Sequence, residues 1–315
     1  MTRQEDAAMP DDLQDESLSD LFDERSRLLA MAFRILGSRA DAEDAVQDTY
    51  ARWYRMTDEE RAAVRVPAAW LTTALGRVSL NMLGSARHRR EQYVGQWLPE
   101  PTAARGAGPG TVAGAPGPVD PADRVTLDDE VSMALMVVLE SLTPAERVVF
   151  VLHDVFRLPF DEIAGIVGRT TQACRTLASS ARRHIADRRS GDADPEQQRR
   201  VVGSFWAAAR SGDLAALVGL LDPHATATSD GGGHVRAALR VVAGADRVAR
   251  FLLGALGKSD DLVAELENDG AEPQLVIRRG DMVVGVGSFH VVGERVADIW
   301  LVLNPEKLRT WNPES

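Results

Sequence analysis

Apolar side chains recur at helical spacing through most of the first 190 residues and alternate at strand spacing towards the C-terminus. Leu18, Leu21, Phe22, Leu28, Leu29, Ala32, Phe33 and Ile35–Leu36 predict an amphipathic helix that Gly37 ends. Ser38, with Asp41 three residues on, reads as a capping box for a second helix, whose first acids suit a positive helix end. That helix buries Ala42, Ala45, Val46, Thr49 and Trp53, and its other side displays Asp44, Gln47, Asp48 and Arg52. Pro67 opens a third helix with a core stripe of Trp70, Leu71, Ala74, Val78 and Met82. Its end turns basic through Arg77, Arg87, His88, Arg89 and Arg90.

Further on, Ser141 and Thr143 precede Pro144, which suits a helix start, and Val148, Val149, Leu152 and Val155–Phe156 make that helix a buried one. Pro159 interrupts it. Ile163, Ala164 and Val167 share one face of the next helix, Gly168 supplies a turn, and Cys174 and Leu177 face inward on the helix after. This is helix-turn-helix spacing, with the small Ala164 where helices cross. The outward side of the last helix carries Arg175, Arg182 and Arg183, with Arg169 at its start and Arg188–Arg189 beyond, against one acid, Asp187. Such a surface suits a phosphate backbone with the helix entering a major groove. The plainer alternative is a helical hairpin whose arginines only solvate it.

Charge sharpens that reading. The 315-residue chain carries a net charge of −11, so nucleic acid must bind through local basic patches. The length allows two or three domains. A single cysteine, Cys174, excludes an internal disulfide and a cysteine metal cluster, and no cofactor or metal is expected. Residues 1–16 are acidic, poor in large apolar side chains and expected to be disordered. They do not resemble a signal peptide, and no apolar run reaches membrane length, so a cytoplasmic protein without membrane contact is expected. After Tyr93, a run rich in Pro, Gly and Ala reads as a flexible linker over 96–123, in which Trp97 calls for a pocket.

From residue 195 the pattern changes. A helix around Val201, Val202, Phe205 and Trp206 ends at Gly212, and Asp213 caps a second. A strand-like HATATSDGGGHVRAAL, a helix around GADRVARFLLGALG, and alternating LVAELEND, PQLVIRRG, DMVVGVGSFHVVG and ERVADIWLVLNPEKL follow. Helices followed by a meander predict an α+β domain with a curved antiparallel sheet.

The acidic ADAEDAVQDTY helix, the PAAWL helix with its basic end and the helix-turn-helix after TPAERVVF together resemble a bacterial sigma factor of the compact extracytoplasmic-function group. The resemblance spans residues 17–189 and implies a multidomain chain: two all-α sigma domains, domain two over 17–95 and domain four over 124–189. It implies that Asp44, Gln47 and Asp48 dock on the clamp helices of the RNA polymerase β′ subunit. It assigns the −10 element to Arg77, Asn81, Arg87, His88, Arg89 and Arg90, and the −35 element to Arg169, Thr170, Thr171, Arg175, Arg182 and Arg183. Asn81 stands where many members have Asp, and Ser180 where many have Arg. In that family the linker threads the polymerase's RNA exit path.

Residues 195–315 are similar to the SnoaL-like, ketosteroid-isomerase-like cone fold. Three strings match a sigma subgroup with such an extension: Trp97-Leu98-Pro99-Glu100, Asp230-Gly231-Gly232-Gly233, and Asn304-Pro305-Glu306-Lys307-Leu308. His234 follows the glycines where the subgroup usually has Lys, which weakens a salt bridge expected from that position. Trp97, Leu98 and Pro99 are expected to dock near the glycine run and the last string, so that the fused domain regulates the chain through intramolecular contacts. The expected partners are core RNA polymerase and promoter DNA, with room for an unidentified small ligand in the cone. No catalytic residue is assigned: His224, Asp230, His234, His290 and Asp298 are ionisable, but no pair stands out, and an enzyme is not expected. The rival reading is a SnoaL-like pocket enzyme or ligand sensor tethered to a helix-turn-helix DNA-binding module.

Overall fold

Helices α1 (Asp11–Leu36), α2 (Arg39–Arg55), α3 (Asp58–Ala63) and α4 (Pro67–Glu91) build the first module. The computed structural model describes residues 11–91, 93–102, 132–257, 261–267 and 272–312, with the side chains of 11–23, 86–91 and 256 outside that description. Residues 11–16 are helical, which corrects the expected disorder there. Ser38 caps α2 by accepting the Asp41 N–H at 3.3 Å. Thr57 and Glu60 cap α3 reciprocally; apolar spacing gave no sign of this helix because it buries nothing.

The second module comprises α5 (Met133–Glu140), α6 (Pro144–Phe150), α7 (Phe160–Val167) and α8 (Thr171–Arg188). A π-helical turn, Val151–Val155, continues α6 and rolls Val155 outward to 39 % exposure, correcting its expected burial. Gly168 ends α7 in the left-handed conformation at φ 67°, and Thr170 caps α8. Leu28, Met31 and Ile35 of α1, Leu75 of α4, Leu152 and Ile163 are all fully buried in one cluster. The two helical modules therefore share a single core.

The C-terminal domain contains α9 (Pro195–Ser211), α10 (Leu214–Leu220) and α11 (Ala245–Leu256). Its strands are β1 (Leu221–Asp230), β2 (Val242–Ala243), β3 (Leu262–Glu267), β4 (Gln274–Arg279), β5 (Met282–Val292) and β6 (Arg295–Val302). They form one sheet in the order β2-β1-β6-β5-β4-β3. The sheet is mixed rather than wholly antiparallel, because β1 and β6 pair in parallel. The connection through α11 carries the chain to the far edge, and the meander returns it beside β1 in the same direction. The NPEKL string is not strand: Asn304 caps a 3-10 helix, Pro305–Trp311.

Alternation along the strands gives the sheet two buried faces. Ala225, Ala227, Phe289, Ile299 and Leu301 fill the face under the helices with Phe205 and Trp206. The opposite face presents Val276, Val286, Trp300 and Val302, which pack on Leu98, on Met133 and Ala134 of α5, and on Leu308 and Trp311. This third cluster joins the sheet, the linker and the second module.

Candidate functional site

Strand β1 delivers Asp230 fully buried, and a buried carboxylate needs a partner at each lone pair. Oδ1 accepts the Tyr93 hydroxyl at 2.6 Å and the Gly232 N–H at 3.0 Å. Oδ2 accepts the Leu98 N–H at 2.9 Å and the Lys307 ammonium at 2.8 Å. Lys307 also donates to the Leu98 carbonyl, and its ammonium lies 4.0 Å from the centroid of the Trp97 ring, a cation–π arrangement. Asn304 donates from Nδ2 to the Tyr93 oxygen at 2.9 Å. Burial first, and the bond to Asp230 next, push the Tyr93 phenol above its ordinary range. Linker, glycine run and C-terminal string thus meet at one carboxylate.

The glycines are required by close approach. Gly232 has φ +62°, and a β-carbon on it would overlap the Asn304 amide. Gly233 has φ +77°, and its β-carbon would lie 3.2 Å from Val94 Cβ. A β-carbon on Gly231 would run into the Val235 carbonyl. His234 stands 3.9 Å from Glu306, both exposed, so that pair adds little. The cation of the site comes instead from Lys307.

At its other end the linker grips the first module. The Glu100 N–H donates to the Gly37 carbonyl at 3.0 Å, supplying a donor where α1 ends. The Glu100 carboxylate bonds Ser38 and the Arg39 N–H at the start of α2; burial still holds its pKa above the ordinary value, against those bonds. Pro99 and Pro101 are buried, Trp311 donates to the Pro101 carbonyl at 3.2 Å, and Gln274 donates to that of Thr102 at 3.2 Å. Residues 93–102 are therefore seated rather than free, while 103–123 of the expected linker and the start of the expected domain four lie outside the described residues. Gly37, at φ +75°, is the point all three parts share. Its β-carbon would lie 3.1 Å from Trp97 Cη2 and 3.0 Å from Glu140 Oε1. Glu140 pairs with Arg147, which is 2 % exposed and reaches the Arg34 carbonyl at 3.4 Å.

The basic helix α8 keeps Cys174, Ala178 and Ala181 inside and leaves Arg169, Thr170, Arg175, Arg182 and Arg183 exposed, with Thr171 half-buried. Thr170 Oγ1 accepts the Ala173 N–H at 3.2 Å, so this hydroxyl caps the helix. Arg182 donates to Asp154 at 2.6 Å, and Arg175 lies 5.8 Å from the Phe160 ring centroid. Ser180 donates to Glu146 at 2.7 Å, spending its hydroxyl inside the module. On α4, Arg77 donates to the Gly165 carbonyl of α7 at 2.9 Å, and Asn81 is exposed. The side chains of Arg87, His88, Arg89 and Arg90 lie outside the described residues. Asp44 and Gln47 are exposed on α2, and Asp48 pairs with Arg52 at 2.8 Å.

Of the ionisable groups in the C-terminal domain, His224 is exposed, whereas His290 and Asp298 pair at 3.0 Å, a contact the sequence did not suggest. His290 stacks on Trp300, whose side of the sheet faces the linker and α5 rather than the helices. Among the described residues no group of three His, Cys, Asp or Glu side chains could hold a metal ion, and no helix is long and apolar enough to cross a membrane.

Residues 21–89 match the family model Sigma-70 region 2, and residues 132–185 match Sigma-70, region 4. The chain is 38 % identical over 302 residues to the ECF RNA polymerase sigma factor SigJ of Mycobacterium tuberculosis (strain ATCC 25618 / H37Rv), covering 90 % of each chain. It is 41 % identical over 289 residues to a probable ECF RNA polymerase sigma factor, SigI, of Mycobacterium tuberculosis (strain CDC 1551 / Oshkosh), covering 90 % of this chain and 92 % of the relative. The crystal structure of the Mycobacterium tuberculosis extracytoplasmic function sigma factor SigJ superposes with a TM-score of 0.69 at 33 % identity, over 95 % of this chain and all of that one.

Proposed function

This chain belongs to the extracytoplasmic-function RNA polymerase sigma factors, and from that premise we propose that its fused C-terminal domain holds it in a closed form. As a sigma factor it directs promoter-specific initiation by core RNA polymerase. The first module, residues 17–95, acts as domain two, with Asp44, Gln47 and Asp48 docking on the β′ clamp helices. The α4 helix reads the −10 element and α8, in domain four, reads the −35 element. We read the protein as acting in the cytoplasm, with polymerase and DNA.

One observation carries the closed reading: Arg77 of the −10 helix is bonded to the Gly165 carbonyl of domain four, 2.9 Å away. The two promoter elements lie about 25 base pairs apart, about 85 Å at roughly 3.4 Å per base pair. Two modules that share one core cannot reach both, so promoter binding requires them to separate. The linker seat at Asp230 opposes that separation, because the same ten residues, 93–102, grip the C-terminal domain at one end and the turn at Gly37 at the other. We read the C-terminal domain as regulatory rather than catalytic, since apolar side chains fill the sheet face beneath its helices.

The polymerase assignment is tested by Asp44→Arg with Asp48→Arg. Both residues lie away from the buried Ala42, Ala45, Val46 and Thr49, so folding should survive. Core affinity is expected to fall at least about tenfold, because positive charges then face a basic partner surface. Unchanged affinity in a chain with wild-type melting would refute the assignment.

The DNA face gives a second expectation. Loss of Arg175, if it reads a base edge, should cost about 1–3 kcal/mol and relax choice at one −35 position. Loss of Arg183 should weaken binding to all sequences alike and flatten the salt dependence. Binding curves on single-base promoter variants decide it; equal, sequence-blind losses would move Arg175 off the reading face.

A further inference from the structure

Asp192 lies in the short connector between α8 and α9, where the chain leaves domain four for the C-terminal domain. Its carboxylate takes Arg189 Nε at 2.7 Å on one oxygen and stands 2.8 Å from His290 Nε2 on the other. The second ring nitrogen, Nδ1, stands 3.0 Å from Asp298 Oδ2, while Asp298 Oδ1 accepts the Thr226 hydroxyl at 2.6 Å. Around this group the connector is stitched to β5. The Ala193 N–H donates to the Val291 carbonyl at 2.9 Å, and the Gly293 N–H donates to that of Gly191 at 3.0 Å. Nearby, the Glu272 carboxyl hydrogen-bonds Ser132, the cap of α5, giving the C-terminal domain a second hold on domain four.

An ionised carboxylate only accepts hydrogen bonds. An imidazole can satisfy two of them only when both of its nitrogens carry protons. A neutral His290 would turn a lone pair on one acid. We propose that Asp192, His290 and Asp298 form a proton-operated latch between domain four and the C-terminal domain, fastened by the imidazolium and loosened when the ring is neutral.

The groups facing the ring from every packed element fix the direction. Arg188 and Arg189 come from the end of α8, Asp192 from the connector, Asp298 from β6, and Glu272 from the segment before β4. The hydrogen bond to Asp298 raises the His290 pKa, burial opposes it, and the bond to Asp192 adds to the rise. Its contribution is whole below the ordinary value of about 6.5 and is lost as pH climbs through the folded value. Burial pushes Glu272 up to about 7, against the Arg189 charge and the Ser132 bond, so its contribution also disappears as pH rises from the ordinary 4.5. Each proton lost leaves the site one charge more negative beside Asp192 and Asp298. The Asp298 pKa is lowered despite burial, through its bond to His290, so its contribution fails only below the ordinary 3.8, outside this range. Alkalinisation through neutrality therefore loosens the seam.

Hydrogen exchange on the full chain alone tests this without polymerase or DNA, so its outcome is separate from the closed-form reading. The Ala193 and Gly293 amides report the seam, and the Ile299 amide in the sheet serves as reference. After correction for intrinsic exchange, seam protection should fall about tenfold between about pH 5.5 and about pH 8.5 while the reference holds. His290→Gln, which cannot take a second proton, should lower protection already at about pH 5.5 and leave only the shallower fall that Glu272 contributes. Should that variant not fold, Asp298→Asn removes one acceptor charge and should shift the fall to lower pH. A level wild-type profile, a His290→Gln profile that starts as high and falls as far as wild type, or an unmoved midpoint in Asp298→Asn would each overturn the latch.

Discussion

Asp230→Ala should unseat the linker while the helical cores stay folded. The substitution strips Lys307, 8 % exposed at its side chain, of its carboxylate and removes the acceptor for Tyr93, Leu98 and Gly232 together. Breaking a buried ion pair from one side costs about 3–5 kcal/mol, since the other charge stays desolvated. At about 1.4 kcal/mol per factor of ten, the linker should open at least about a hundredfold more often. Protease cleavage within residues 93–102 measures this directly, and affinity for core polymerase should rise with it. Asp230→Ala combined with Lys307→Met separates cause from damage. Removing both charges should restore much of the stability, because an apolar pair carries no stranded ion. The Leu98, Tyr93 and Gly232 donors still lack their acceptor, so the linker should open more often than in wild type but less often than in the single variant. A single variant whose linker resists protease like wild type would show that Asp230 does not hold it.

How much of this is legible in the sequence depends on the kind of signal. Helix spacing and caps placed α2, α4, α7 and α8, since burial on one face of a helix leaves a local period. Two helices escaped for opposite reasons: α3 buries nothing, and the short α5 is apolar almost throughout, so neither shows a stripe. The resemblance named the strings that meet at Asp230, but not their bonding. The resemblance puts the cation at position 234, directly after the glycines, whereas Lys307, 77 residues from Asp230, supplies it. Nothing local marks Tyr93 or the buried Glu140–Arg147 pair, and Gly37 reads only as a helix end, because the contacts of each are defined by what a distant segment brings to it. The parallel β1–β6 pair was hidden likewise, since strand direction depends on the path between strands and not on their residues.

The strongest expectation follows from the core that the two helical modules share. A β-carbon on Gly76 of α4 would lie 2.6 Å from Ile166 Cγ2 of α7, so the two backbones are close there. With the isoleucine branches gone, cysteines at 76 and 166 come within the roughly 3.5–4.5 Å Cβ separation a disulfide requires. Cys174 is fully buried, and its replacement by Ala in the same chain keeps it out of exchange. Oxidised Gly76→Cys, Ile166→Cys chain should fail to start transcription from a cognate promoter, because a covalent bond then joins α4 of the first module to α7 of the second. Reduction should restore activity to that of the reduced control, which separates locking from loss of packing at Ile166. The outcome turns on geometry alone, since oxidation changes neither the exposed arginines of α8 nor Asp44 and Asp48. Equal initiation by oxidised and reduced chains would mean that polymerase accepts the two modules joined, and the control would then have to act after promoter binding rather than before it.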